Sequence, residues 1–223
     1  MISVLLPTRK RPLILQRMIE SVWLTSSKPI EIILYIDNDD TESAAMADQL
    51  AVKKIIGPRI TLSDCWNKCA EIATGDIWQQ SNDDVVYRTY GWDIIVENFY
   101  SQTSDKIWFT HPYDSGGYYK DFGAHGFVHR RWADVVGFFI APWFSSDYGD
   151  TFLNDCANAL NRRKCLPIIV DHLHFWFGRS ECDQTYQERI DRHMKDRPDL
   201  LYEKLRPERE AAIEKLRAVM ENT

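Results

Sequence analysis

Two acidic segments carry the residue types in this chain that are best suited to chemistry. Asn82-Asp83-Asp84 follows a strand-like run over 76–81, and Asp37-Asn38-Asp39-Asp40 follows an apolar run over 30–36. Carboxylate and amide oxygens bind Mg²⁺ or Mn²⁺, ions that keep coordination positions open for substrate phosphates. An ordinary solvated Asx turn is the alternative at each place. The surrounding elements must therefore decide between a metal-diphosphate site and a simple turn.

Alternating strand and helix signals position these acids. The predicted strands cover residues 2–6, 30–36, 53–56, 76–81, 106–111, 126–129 and 167–175. The predicted helices cover residues 12–24, 42–51, 62–73, 91–100, 130–136 and 150–162. This order predicts an α/β fold with a mostly parallel sheet, helices on both faces and a ligand site beyond the carboxyl ends of the strands. The polar loops at 8–11, 37–40 and 82–84 would then share one edge.

A histidine pair lies near the end of the last predicted strand. His172 and His174 are two residues apart, so strand geometry predicts that both imidazoles lie on one face. A strand histidine is more often a core residue, but the pair beside Asp171 makes a functional role equally plausible. The pair would also suit zinc, although the sequence has no third soft ligand beside it. A Gly- and Tyr-rich loop over 112–124 is typical of a lid or binding loop.

Composition excludes several classes of function. The 223 residues, 44% of them hydrophobic and eight of them Trp, predict one folded domain with a substantial core. A net charge of −6 and the lack of a long basic run argue against nucleic acid as a partner. We expect no signal peptide and no transmembrane segment, since the first apolar run is short and no later run is long enough. Five cysteines without a Cys-x-x-Cys pair favour a reducing cytoplasm.

The chain changes character after residue 182. From Asp183 onward it is charged and helical, with Pro198 and Pro207 as breaks. We therefore expect a main domain over 1–182 and a helical C-terminal extension over 183–223. The extension would pack as an appendage or as a homo-oligomer contact.

Four segments in order carry a family resemblance: the run Val4-Leu5-Leu6-Pro7-Thr8-Arg9-Lys10-Arg11-Pro12, then Glu20-Ser21-Val22, residues 62–76, and Asn82-Asp83-Asp84. They resemble the nucleotide loop, the first helix, the helix before the metal strand and the Asp-x-Asp motif of GT-A fold glycosyltransferases, especially family 2. The match spans roughly residues 2–155. It implies a Rossmann-like GT-A sheet, a nucleotide-diphosphate sugar donor, Mn²⁺ or Mg²⁺, and a glycan or other hydroxyl acceptor. A uridine diphosphate donor is the guess from family frequency.

The resemblance implies roles for four residues around the nucleotide base. Thr8 and Arg9 would line the base, and Asp37 would accept a hydrogen bond from it. Arg59 would contact the base or the diphosphate. The plainer interpretation is a solvated arginine for Arg9 and Arg59 and a strand-end cap for Asp37.

The resemblance also implies the groups around the diphosphate and ion. Asp83 would meet the ribose and Asp84 the metal, and His172 or His174 would complete the ion's shell. Asn82 departs from the family pattern, because an amide is a weaker metal ligand than a carboxylate. This departure puts the affinity for the ion in doubt.

A second resemblance implies the catalytic base. The stretch 136–139, followed by Asp147-Tyr148-Gly149-Asp150, resembles the family's Gly-rich turn and the acids before its acceptor-side helix. Asp150 aligns best as the base of an inverting transfer, and Asp147 is the second candidate. Asp150 as a helix N-cap is the structural alternative.

Two other functions stay open from the sequence. A nucleotidyltransferase shares the fold class, but its Gly-rich phosphate loop is missing, since residues 8–12 contain no glycine. A non-catalytic nucleotide-sugar-binding or assembly protein is the other, and Asn82 is the residue that favours it.

Overall fold

The computed structural model describes residues 1–221, in which strands and helices alternate as the sequence predicts. The strands are β1 (Ile2–Thr8), β2 (Glu31–Asp37), β3 (Lys53–Gly57), β4 (Ile77–Gln80), β5 (Val85–Tyr87), β6 (Phe109–Asp114), β7 (Phe127–His129) and β8 (Arg163–His172). The helices are α1 (Pro12–Thr25), α2 (Thr41–Ala47), α3 (Leu62–Glu71), α4 (Trp92–Ser101), α5 (Arg130–Val136), α6 (Gly149–Ala159), α7 (Gln184–Asp196), α8 (Pro198–Lys204) and α9 (Arg206–Glu221). A 3₁₀ turn covers Phe175–Phe177.

The strands form one mixed sheet in the order β3-β2-β1-β4-β7-β6-β8-β5. The pairs β1–β2, β1–β4, β2–β3 and β6–β8 are parallel. The pairs β4–β7, β6–β7 and β5–β8 are antiparallel. The predicted α/β class and mostly parallel sheet are therefore confirmed. The carboxyl ends of β1, β2 and β4 lie at one edge of the sheet.

Alternation along β1 divides the apolar core between the two faces of the sheet. Leu5 packs on one face with Trp66 of α3 and Leu216 of α9. Val4 and Leu6 point the other way, into a cluster that includes α1 and α4. Because successive strand side chains alternate, a short apolar strand between two helical layers supports both cores.

Three strands depart from the prediction by more than two residues at one end or were not predicted. β5 was not predicted, because its three residues directly follow the acidic segment and form a strand only by pairing with β8. β6 runs over Phe109–Asp114 instead of 106–111, since Lys106 has a left-handed backbone with φ of 59°. β8 begins at Arg163, earlier than the apolar pattern indicates, and ends at His172.

The C-terminal extension packs on the main domain over its described length. Leu216 of α9 is fully buried, and α9 contacts α5 and α6. The division at residue 182 and the oligomer contact stay predictions, and residues 222 and 223 lie outside the described residues. No helix among residues 1–221 is both long and apolar enough to span a bilayer. The five cysteines are free thiols, and the cytoplasmic location stays a prediction.

Candidate active site

A cleft of about 560 Å³ lies beyond the carboxyl ends of β1, β2 and β4. Its walls come from the three strand-end loops, the segment before α6, the end of β8 and helix α7. The cleft brings together all ten residues that the sequence nominates: Thr8, Arg9, Asp37, Arg59, Asp83, Asp84, Asp147, Asp150, His172 and His174. Their proximity follows from the topology, whereas their individual roles stay predictions.

Arginines and acids pair at the β1–β2 end of the cleft. Arg9 Nη1 lies 2.8 Å from Asp37 Oδ2 and 2.5 Å from Asp39 Oδ1. Glu188 of α7 bridges two cations, with its Oε2 3.3 Å from Arg9 Nε and 2.6 Å from Arg59 Nη2. Burial raises the pKa of Asp37, although Arg9 acts in the opposite direction. This end therefore presents paired guanidinium and carboxylate groups, which suit the polar edge of a nucleobase.

Asp83 is buried between two donors from the β1 loop. Its Oδ2 accepts a hydrogen bond from Thr8 Oγ1 at 2.9 Å, and its Oδ1 lies 3.1 Å from Arg11 Nη1. Burial raises the pKa of Asp83 to about 6, against the opposing effect of Arg11. The sequence left the direction of Arg11 open, and the structure buries it under the ring of Tyr186, 3.8 Å from its centroid.

Asp84 lies deeper in the cleft, beside His172. Asp84 Oδ2 accepts a hydrogen bond from the Tyr186 hydroxyl at 2.7 Å and lies 3.5 Å from His172 Nε2. Burial by itself raises the pKa of Asp84, but His172 and Tyr186 outweigh it and hold that pKa below its usual range. For His172 burial lowers the pKa, and the carboxylates of Asp114 and Asp84 reverse this and raise it to about 9.

The donor set around Asp84 fits a divalent cation. Asp84 Oδ1 and His172 Nε2 are buried and have no hydrogen-bond partner within residues 1–221. Both can become ligands when a cation binds, since a bound cation displaces the proton from Nε2. Asp114, His125 and His172 offer ligand atoms that lie within 4.8 Å of one another. Buried carboxylate and imidazole groups of this kind suit Mn²⁺ and related ions.

His174 reaches the cleft by a different route from the one predicted. The prediction that His172 and His174 lie on one face of a strand is wrong, because β8 ends at His172 and His174 is the N-cap of the 3₁₀ turn. Its Nδ1 accepts a hydrogen bond from the Trp176 amide at 3.2 Å, and burial lowers its pKa to about 4. Its ring centroid is 5.3 Å from that of His172. The two imidazoles therefore come together through a turn.

Two acids on the far wall have different environments. Asp147 is neutralised by α7: Arg189 Nε lies 2.9 Å from its Oδ1, and His193 Nδ1 lies 2.6 Å from its Oδ2. Asp150 has no ion pair with a described residue, and burial raises its pKa to about 6. The N-cap interpretation of Asp150 is wrong, because Tyr148 is the N-cap of α6 and Asp150 lies in the first turn.

The family model described as glycosyl transferase family 2 matches residues 3–181. The chain belongs to this family. A search among curated proteins found no match to this family 2 chain.

Solved structures resemble the family 2 chain in fold. The mannosyltransferase PcManGT from Pyrobaculum calidifontis, solved with GDP-Man and Mn²⁺, has a TM-score of 0.65 and 10% identity; the match covers 99% of this chain and 74% of that one. Glucosyl-3-phosphoglycerate synthase from Mycobacterium tuberculosis, with Mn²⁺, UDP and phosphoglyceric acid, has a TM-score of 0.56 and 14% identity, covering 76% and 68%. TarS 1-349 from S. aureus with UDP has a TM-score of 0.57 and 11% identity, covering 76% and 60%. The chain therefore spans only part of each of these proteins and shares with them the GT-A fold.

Sequence reasoning missed the contribution of α7 to the cleft of this family 2 chain. Tyr186, Arg189 and His193 line the cleft and Glu188 pairs with two of its arginines, yet all four follow the last residue that the family model matches. The one available signal was a charged amphipathic helix, which is more often a solvated element. Asp114 was also missed, because residues 112–124 were predicted as a loop and the end of β6 lies within them, and His125 was missed because it lies between that loop and the next predicted strand.

Proposed function

We propose that this chain is a nucleotide-sugar glycosyltransferase that transfers a sugar from a nucleoside diphosphate to a hydroxyl acceptor in a metal-dependent, inverting reaction. The observation that carries the proposal is the convergence in one cleft of the paired Arg9 and Asp37, the buried Asp84 and His172, and the unpaired Asp150. Two fold relatives were solved with GDP-Man or UDP together with Mn²⁺, which supports a donor of this class.

The donor would lie along the strand-end loops. Thr8, Arg9, Asp37 and Arg59 would surround the base, where carboxylate acceptors and guanidinium donors can match its edge. Asp83 would accept a hydrogen bond from a ribose hydroxyl, beside the buried Arg11. A uridine diphosphate sugar is our first choice of donor.

The diphosphate would lie over Asp84. Asp84 and His172, with His174 nearby, would hold Mn²⁺ or Mg²⁺, and the bound ion would supply charge neutralisation for the departing diphosphate. Arg189 lies on the same wall, with its guanidinium 4.1 Å from the ring centroid of Trp176. The half-exposed Trp176 ring offers a flat apolar surface at the mouth of the cleft, suited to one face of a sugar.

Asp150 would be the base. Its carboxylate would take the proton of the acceptor hydroxyl while that oxygen bonds to the anomeric carbon and the bond from this carbon to the diphosphate oxygen breaks. Burial favours this role because it raises the proton affinity of the carboxylate. Asp147 is the less suitable candidate, since Arg189 and His193 both engage it.

A nucleoside diphosphate panel tests the donor assignment. The melting temperature is measured with each diphosphate, with and without Mn²⁺, because a ligand that binds only the folded state stabilises it by about 2.7 kcal/mol at 100 times its Kd. We expect one diphosphate to stabilise the wild-type chain only with Mn²⁺, and Asp84→Asn to abolish the shift. Asp134→Asn, an exposed acid on α5, is the matched control and should keep it. No shift with any diphosphate would refute the donor site.

A binding protein without turnover is the second candidate. Two residues of α7 already pair with groups of the proposed donor site. Tyr186 donates a hydrogen bond to Asp84, and Glu188 forms ion pairs with Arg9 and Arg59. Diphosphate binding with Mn²⁺, combined with no transfer or hydrolysis of any nucleotide sugar, would favour this candidate over the enzyme.

A further inference from the structure

Asp114 forms a buried contact behind the proposed ion site. It is the last residue of β6 and is 1% exposed. Its Oδ2 lies 3.1 Å from Nδ1 of His172, the last residue of the adjacent strand β8. Its Oδ1 accepts a hydrogen bond from the Gly116 amide at 2.7 Å. Both oxygens of this carboxylate are therefore engaged.

The chemistry of this contact determines which ring nitrogen keeps its proton when the ring is neutral, as it is when it binds a metal ion. An ionised carboxylate only accepts hydrogen bonds, so His172 Nδ1 must be the donor to Asp114. The other nitrogen, Nε2, then faces Asp84 Oδ2 at 3.5 Å and has no hydrogen-bond partner among residues 1–221. The ring thus directs one nitrogen to a fixed acceptor and the other to the proposed ion position.

The backbone holds this arrangement in place. A Cβ at Gly116 would lie 2.4 Å from the His172 carbonyl oxygen and 2.8 Å from Asp114 Oδ1, so only glycine allows the turn to approach this closely. The Ser115 amide donates a hydrogen bond to the Val170 carbonyl at 2.9 Å, which fixes the same turn to β8. The salt bridges among the described residues give Asp114 no Lys or Arg partner, and His172 is its partner instead.

We propose that Asp114 is a positioning residue that fixes the Nδ1–H form and the orientation of His172, so that Nε2 is presented to the divalent ion bound by Asp84. This inference rests on the proposed function, because that function supplies the ion. A carboxylate behind a ligating histidine orients the ring and increases its basicity, and its loss typically weakens metal binding by about 10- to 100-fold.

Asp114→Asn tests the proposal with little change in shape. The Gly116 amide still needs an acceptor, so the new side chain keeps its oxygen there and turns its NH₂ group toward His172. Nδ1 must then accept, and the proton moves to Nε2, where it blocks the ion. We expect the Kd for Mn²⁺, measured by electron paramagnetic resonance, to rise about 10- to 100-fold. We also expect ¹⁵N NMR to show a proton on His172 Nδ1 in the wild-type chain and none in the variant.

Asp171→Asn is the matched control. Asp171 directly precedes His172 on β8, but its carboxylate bonds to Arg88 and Ser115 and does not line the cleft. We expect this variant to keep both the Mn²⁺ affinity and the Nδ1 proton. An equal loss of affinity in the two variants would overturn the proposal, because it would indicate a general loosening of the strand end.

The remaining outcomes separate this proposal from the proposed function. Wild-type Mn²⁺ binding that Asp114→Asn leaves unchanged overturns the positioning role alone. Failure of the wild-type chain to bind Mn²⁺ overturns the metal site as well. The NMR measurement on the wild-type chain does not depend on the folding of any variant, and an unprotonated Nδ1 there overturns the proposal directly.

Discussion

Replacing Arg11 should lower the free energy of unfolding, because Asp83 loses its cationic partner. Arg11 is 7% exposed and Asp83 is 6% exposed, and their nearest atoms are 3.1 Å apart. Arg11→Met keeps much of the apolar stem but leaves Asp83 as an uncompensated buried charge beside Asp84. Breaking one side of a buried ion pair costs about 3–5 kcal/mol, which corresponds to a fall in melting temperature of roughly 6–20 °C for a chain of this length. Arg11 also donates two hydrogen bonds of 2.7 Å to Asp183, and their loss adds to this cost.

The pH dependence of this loss identifies its cause. Burial raises the pKa of Asp83 in the folded chain to about 6, above its pKa in the unfolded chain. The free energy of unfolding therefore falls as the pH rises from the unfolded-state pKa to about 6. Arg11 lowers that pKa, and its removal must raise it further. Below this pKa, Asp83 takes up a proton and the unpaired charge disappears. We therefore expect a larger loss of unfolding free energy at pH 8 than at pH 5.

Urea unfolding of four proteins measures this effect: wild type, Arg11→Met, Asp83→Asn and the double variant. Adding Asp83→Asn to Arg11→Met should restore roughly 2 kcal/mol, since it removes the buried charge itself. Arg130→Met is the control, because Arg130 is half exposed and its ion-pair atoms are 3.9 Å apart. A loss below about 1 kcal/mol in Arg11→Met, or an equal loss at both pH values, would refute the assigned role of the pair.

Three further outcomes follow from the cleft and the core. Asp150→Asn should lower kcat by about 10²- to 10⁴-fold without weakening diphosphate binding. The wild-type kcat/KM should decrease below about pH 6, where the Asp150 carboxyl holds its proton. A transfer assay over pH 5–8 checks both, and an unchanged kcat would exclude Asp150 as base. Glu188→Gln should tighten diphosphate binding by about fivefold, because it frees Arg59 from a competing carboxylate, and weaker binding by calorimetry would contradict this. Leu216→Ala should cost about 2–5 kcal/mol of unfolding free energy, since the side chain is fully buried, and a loss below about 1 kcal/mol would show that α9 does not contribute to the core.

The fold was predictable where local patterns and topology agree. The apolar runs before Thr8, Asp37 and Asn82 end where β1, β2 and β4 end or within two residues of it, and parallel pairing then brings their loops together. β5 was not predictable, because three residues carry no periodicity and become a strand only against β8. A strand or helix can therefore be predicted from the local pattern only when the element is long enough to show the periodicity of its apolar residues.

The site was predictable where a residue follows a strand end and less so where partners come from distant segments. Asp84 and Asp150 could be nominated from motif position, but the sequence does not show what shifts their pKa values. Burial acts on both, and His172 and Tyr186 outweigh it only at Asp84. Arg11 has no sequence signal for its direction, and one of its partners, Asp183, is more than 170 residues away. Such pairings depend on tertiary packing, which spacing along the chain does not encode.

The position of α7 along the chain has a consequence for biosynthesis. A ribosome makes β1, β2 and β4 first, so Arg9, Arg59 and Asp84 emerge long before Glu188 and Tyr186, their partners on α7. N-terminal segments generally fold before later ones during translation. Until α7 emerges, these three side chains lack the partners that they have in the folded chain. The sheet also waits for late segments, because β4 pairs with β7 and β5 pairs with β8, so the cleft is completed only after most of the chain has been made.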